Sequence, residues 1–165
     1  MPNTFLMLLS AVIITAMPRA VHAQTTADER AVTAIADSAL AAISRGDAAA
    51  FTDLMIPEAM LYPTATREGV TMYRARTRES QRNADLGGVV ERGFAPIARV
   101  SGGVAMVWMP YDLYKDGRWS HCGADVFTLV KTAGTWRIAS MAWSAEQPPV
   151  CERHPAGPPP GPDRH

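Results

Sequence analysis

Three apolar runs rich in β-branched and aromatic residues fill residues 104–145, and each break between them carries a glycine, Gly117 or Gly134. Runs of this kind separated by short glycine turns predict consecutive antiparallel strands. All four tryptophans and two of the four tyrosines fall in this stretch, so it carries most of the aromatic mass. Upstream, the period changes. Val32, Ile35, Ala39, Ala42 and Ile43 recur at helical spacing and predict one amphipathic helix, with Thr26 and Glu29 placed as a capping box at its start. Gly46 is positioned to end that helix, and Asp47 to cap a second, shorter one over residues 48–55, closed by Pro57.

Residues 58–64 predict a short strand, with Pro63 marking an edge or a bulge. Residues 68–73 predict a turn and strand. Residues 74–86 interleave four arginines with Glu79 and Asp85, which predicts a solvated helix or loop. Strand character returns over residues 89–100, interrupted by Pro96, before the turn at Ser101-Gly102-Gly103. The order is two helices and then mostly strands, an α+β plan with helices on one face of a curved antiparallel sheet. A sheet that twists over a helix leaves a cone-shaped cavity, a natural ligand pocket.

Both ends differ from this body. Residues 1–23 hold an apolar run of about 13 residues, short for a membrane span of roughly 20, followed by Val21-His22-Ala23 in the pattern of a signal-peptidase site. No Lys or Arg precedes the run, and an uncleaved anchor is the alternative. The expected organisation is a signal peptide over residues 1–23, a domain over 24–147, and a Pro/Gly-rich tail over 148–165 that is disordered beyond Cys151. The expected location is the periplasm or the exterior, with no membrane contact after cleavage.

Composition narrows the partners. The chain of 165 residues carries 16 basic and 16 acidic side chains, with no basic cluster, which argues against nucleic acid. Its two cysteines, Cys122 and Cys151, form an even count in an exported chain, so a disulfide is the first expectation and two free thiols the alternative. The bridge would close a loop of about 28 residues and contribute roughly 3 kcal/mol. No phosphate loop, nucleophile elbow, zinc-protease helix or paired-cysteine zinc spacing occurs, so neither a metal nor a cofactor is expected.

Strand alternation places His121, Gly123, Asp125, Phe127 and Leu129 on one face, with His121 and Asp125 about 13 Å apart at roughly 3.3 Å per residue. An acid on an apolar face needs a partner or a purpose, so Asp125 is the first candidate for a general base, a structural hydrogen bond being the alternative. In the preceding strand, Trp108, Pro110, Asp112 and Tyr114 share one face and Val107, Met109, Tyr111 and Leu113 the other; the pattern does not say which faces the pocket. Tyr62, Trp108, Tyr111 and Asp112 are candidate ligand contacts. Trp136 and Trp143 are expected on opposite faces of the last strand.

The Gly46-Asp47 corner, Val107-Trp108-Met109-Pro110-Tyr111-Asp112, Asp116-Gly117, His121-Cys122-Gly123-Ala124-Asp125 and Gly134-Thr135-Trp136-Arg137-Ile138 together resemble the nuclear-transport-factor-2-like superfamily. They are most similar to its exported bacterial branch labelled SnoaL-like or lumazine-binding. The resemblance implies a cone-shaped α+β barrel with a pocket for a small apolar or aromatic molecule, and a homodimer. It also admits a cofactor-independent isomerase, dehydratase or cyclase, in which Asp125 or Asp112 moves a proton while His121 or a tyrosine holds an oxyanion. A structural or dimerisation module without ligand is the third reading.

Overall fold

The structure, a computed structural model, describes residues 19–160, and side chains from residue 26 onward. The first 18 residues of the expected signal peptide lie outside the described residues. Helix α1 (Arg19–Ser44) begins seven residues before Thr26, so the expected capping box lies inside the helix rather than at its start. The corner after it is built as the residues predict. Gly46 takes φ +73°, a conformation that costs glycine little, and the Asp47 side chain accepts from Ala50 N at 2.8 Å to cap α2 (Ala48–Asp53).

Eight strands follow: β1 (Met55–Arg67), β2 (Val70–Tyr73), β3 (Arg76–Thr77), β4 (Val89–Gly93), β5 (Ile97–Ser101), β6 (Val104–Lys115), β7 (Arg118–Thr132) and β8 (Thr135–Ala145), with α3 (Arg78–Arg82) between β3 and β4. Pro57 does not stop α2. It sits in β1 where the pairing with β8 shifts between Met55 and Met60, a place that tolerates the missing amide donor. The sheet runs β2-β1-β8-β7-β6-β4, with β3 on β1 and β5 on β6. Its pairings are antiparallel except one. β1 lies parallel to β8, from Met55 against Ile138 to Ala65 against Ala145, so the sheet is mixed rather than wholly antiparallel.

The sheet curls over α1 and α2, and the enclosed core includes Val32, Leu40, Phe51, Leu61, Phe127 and Ile138. Each fully buried side chain of this size contributes about 1.5–3 kcal/mol. Gly93 is required by this packing: a Cβ there would run into the Met109 side chain and Leu40. Asp28 anchors α1 to the sheet by accepting from Lys131 Nζ at 2.8 Å and Trp136 Nε1 at 3.0 Å.

A bulge in β8 changes one expected orientation. Thr128 pairs with Ser140 and Leu129 with Ile138, so Ala139 is extra and the alternation flips. Trp136 and Trp143 therefore both pack on the concave core instead of opposite faces. The segment after β8 is fixed to the convex face by a disulfide between Cys122 and Cys151. Residues just beyond Cys151, which composition assigns to disorder, lie against that face: Arg153 stacks over Trp119 at 4.0 Å and His154 meets Phe94 edge-on at 5.4 Å. No described helix is long and apolar enough to cross a membrane.

Candidate functional site

The pairing of β6 with β7 decides which face is inside. Leu113 opposes His121, Tyr111 opposes Gly123 and Met109 opposes Asp125, so these residues share the concave face with Phe127 and Leu129. Asp112 and Trp108 oppose Cys122 and Val126 on the convex face. Tyr62 pairs with Ala142, whose own antiparallel partner is Val126, and also points outward. Of the sequence candidates, Tyr111, His121 and Asp125 are thus brought together; Tyr62, Trp108 and Asp112 are not. Trp108 is half exposed beside the tail, and Asp112 is buried in a paired structural contact with Arg92.

Inside the cone lies a cavity of about 130 Å³. Its walls are Ile43 and Phe51 from the helices, Leu86 and Val89 at the β4 side, and Leu113, Met141 and Trp143 from the sheet; Arg76, Gln81, Glu91 and His121 supply polar groups. A groove between α1 and β5 is larger, about 560 Å³, but it is open and has no buried polar residue in its wall. Concave shape with a few convergent polar groups favours the interior cavity as the site.

Two buried acids lie on the concave side, and of these Glu91 lines the cavity. Asp125 is completely buried between Met109 and Trp143, and neither of its carboxylate oxygens has a hydrogen-bond partner. Burial, and then the nearby charge of Glu91, raise its pKa well above the usual carboxylate range. Glu91 borders the cavity, is 7% exposed, and is pushed up to about 8 by burial. Its backbone is fixed by Ser44, whose hydroxyl donates to Glu91 O at 2.9 Å and accepts from Glu91 N at 2.8 Å. Sequence reasoning passed over Glu91. The available signal was an acid between Val89 and Gly93 on one strand face, the same signal that singled out Asp125 between Gly123 and Phe127.

His121 lines the cavity and is linked behind it to Tyr111. The tyrosine hydroxyl donates to Ser144 O at 2.8 Å, so the 3.0 Å contact with His121 Nε2 has the imidazole N–H donating. Nδ1 then accepts from the Ser120 hydroxyl at 2.9 Å. This network holds His121 as one neutral tautomer, and burial lowers its pKa in the same sense. Burial and the acids Glu91, Asp125 and Glu146 raise the Tyr111 phenol far above its ordinary value, so it stays protonated. Gly123 makes the arrangement fit: a Cβ there would strike Ser144 O, the atom that accepts the Tyr111 hydrogen bond.

At neutral pH the cavity therefore presents a protonated Glu91, a neutral His121 and the Gln81 amide on an apolar wall, with the Arg76 guanidinium at its rim. It suits a small, largely apolar molecule with one or two polar atoms. Among the described residues no group of three or more His, Cys, Asp or Glu is placed to hold a metal ion.

Comparison with known proteins agrees with this architecture. Residues 27–144 match the model of a family described as "putative lumazine-binding". No curated relative matches the chain by sequence. Among solved structures, an NTF2-like protein with a cystatin-like fold from Novosphingobium aromaticivorans superposes with a TM-score of 0.60 at 14% identity, covering 76% of this chain and 86% of its own. A domain of unknown function with a cystatin-like fold from Nostoc punctiforme gives 0.60 at 18% identity, over 76% and 82% of the two chains. An NTF-2-like protein of unknown function from Silicibacter pomeroyi gives 0.52 at 21% identity, over 74% and 99%. At these identities the likeness establishes the fold.

Proposed function

We propose that the chain, which belongs to the family described as "putative lumazine-binding" and shares its fold with solved NTF2-like proteins, is a ligand-binding domain whose concave cavity holds a small, largely apolar molecule. The observation that carries this reading is the concave, mostly apolar cavity of about 130 Å³ with Glu91 and His121 in its wall. A cavity of this size accepts a body about as large as a benzene ring. Exposed to ligand, Glu91 donates a hydrogen bond as a neutral acid, and His121 offers its edge. The Cys122–Cys151 disulfide supports a working location in an oxidising compartment, the periplasm or the exterior.

Calorimetric titration with indole tests the reading. Saturable one-to-one binding is expected, and Val89→Trp, which fills the cavity, abolishes it. Absence of saturable heat, or binding unaffected by Val89→Trp, rejects the cavity as the site.

One observation favours a second reading as an acid–base enzyme. Glu91 reaches the cavity with a pKa of about 8, in the range where one carboxyl can both give and take a proton near neutrality. In that case Glu91 meets the substrate, its pKa set by its burial. Glu91→Gln would then remove turnover.

A further inference from the structure

The interior cavity opens beside a second space with the opposite chemistry. A cleft of about 440 Å³ lies where β1, β2 and β8 meet, and its wall carries Arg67, Arg74 and Arg76 with no acidic residue. Arg76, His121 and Trp143 line both the cavity and the cleft, so they form the partition between them. Arg76 is held there by its Nη1 donating to Gln81 Oε1 at 3.4 Å and by its guanidinium lying 6.0 Å from the Trp143 ring centre. Among the described residues, recorded ion pairs engage Arg78, Arg82, Arg92 and Lys131, and none engages the three cleft arginines. Of the surrounding acids, Glu91 shares the cavity wall with Arg76, while Glu68 and Glu146 line a neighbouring cleft that Arg67 and His121 also border, and Glu146 accepts from Thr66 Oγ1 at 3.3 Å.

The two spaces therefore differ in character: the cavity is walled mostly by apolar side chains with one buried carboxyl group, and the cleft carries three guanidinium groups, with Arg76 standing between the two. We propose that cavity and cleft are one two-ended site for small organic acids, with the apolar body inside and the carboxylate outside against Arg76. This rests on the cavity being the ligand site and adds the class and orientation of the ligand. A carboxylate that entered first would lose its hydration among Ile43, Phe51, Leu86 and Val89. Outside, it meets unpaired guanidinium groups that can bind it through two parallel hydrogen bonds. An amine is less well served, since Glu91 stays protonated near neutral pH and offers an ammonium group little charge.

Three probes with one apolar body test this: 4-phenylbutyrate, 4-phenylbutanol and 4-phenylbutylamine, titrated by calorimetry at pH 7 and low salt. The acid is expected to bind about tenfold more tightly than the alcohol, with the amine weakest and the acid's advantage reduced by salt. Arg76→Gln should bring the acid down to the alcohol's affinity while the alcohol changes less than about twofold; Arg76→Lys should keep part of the difference. The exposed pair Arg67→Gln/Arg74→Gln, remote from the core, should weaken only the acid. Equal binding of acid and alcohol, or tightest binding of the amine, overturns the orientation while leaving the cavity reading intact. No saturable binding by any of the three overturns the cavity reading itself.

Discussion

Asp125 and Asp112 stand on adjacent strands of one sheet, both completely buried, and their surroundings are opposite. On the convex face Asp112 is saturated: Arg92 donates from Nε at 2.9 Å and Nη2 at 2.6 Å, and His154 N adds a third bond at 3.1 Å. On the concave face Asp125 has no partner at all. Burial of an acid is common to both, so burial does not mark a site. What separates them is whether the fold itself completes the hydrogen bonding. The convex face is finished by its own tail, whereas the concave face is left to a proton or a ligand.

The contrast can be broken most directly at Asp112. Asp112→Ala strands the Arg92 guanidinium against the sheet and should cost about 3–5 kcal/mol in chemical denaturation. A loss below about 1 kcal/mol would mean the pair is no more than a surface contact.

The concave acids should act in the reverse sense. The folded state keeps Glu91 protonated up to about 8, while an unfolded chain releases that proton near the ordinary value of 4.5. The folded state thus binds more protons in between, so stability is fully present below pH 4.5 and is lost as pH rises toward 8. The slope is about 1.4 kcal/mol per pH unit for one proton. Glu91→Gln should flatten it, as read by midpoint denaturant concentration at several pH values. A stability that rises across this window would refute the assignment. Smaller again is Tyr111→Phe, which removes the bond to Ser144 O and should cost about 0.5–1.5 kcal/mol. Because the network holds the His121 tautomer, that variant should also move the imidazole titration followed by NMR.

How far these two faces were legible in sequence follows from what alternation can and cannot carry. A period of two is enough to place His121 and Asp125 together and to separate Tyr111 from Trp108. It does not tell inside from outside, because both sets in β6 are apolar and aromatic; the tail covers one and the helices the other. One extra residue, Ala139, reversed the reading for Trp143, and no residue type announces a bulge in Ile138-Ala139-Ser140. Tyr62 depended on a parallel partner some 80 residues away, beyond any local pattern. Arg76 was hidden for another reason. Among four arginines it reads as solvated, and only the fold singles it out by setting it on Trp143. The Gly46-Asp47 corner, by contrast, is entirely local and was fully readable.

The parallel pairing of β1 with β8 also bears on how the chain is assembled. β8 is the last strand to be made, yet it sits between β1 and β7 near the middle of the sheet. Until it arrives, β1 with β2 and β3 forms one fragment and β4 to β7 another, each with an open strand edge. Folding must then await a contact spanning most of the chain, which makes it slow relative to a local meander. The waiting edges are sites for pairing with other chains. A nascent protein halted before residue 135 would thus be at its most aggregation-prone with most of its sheet already synthesised.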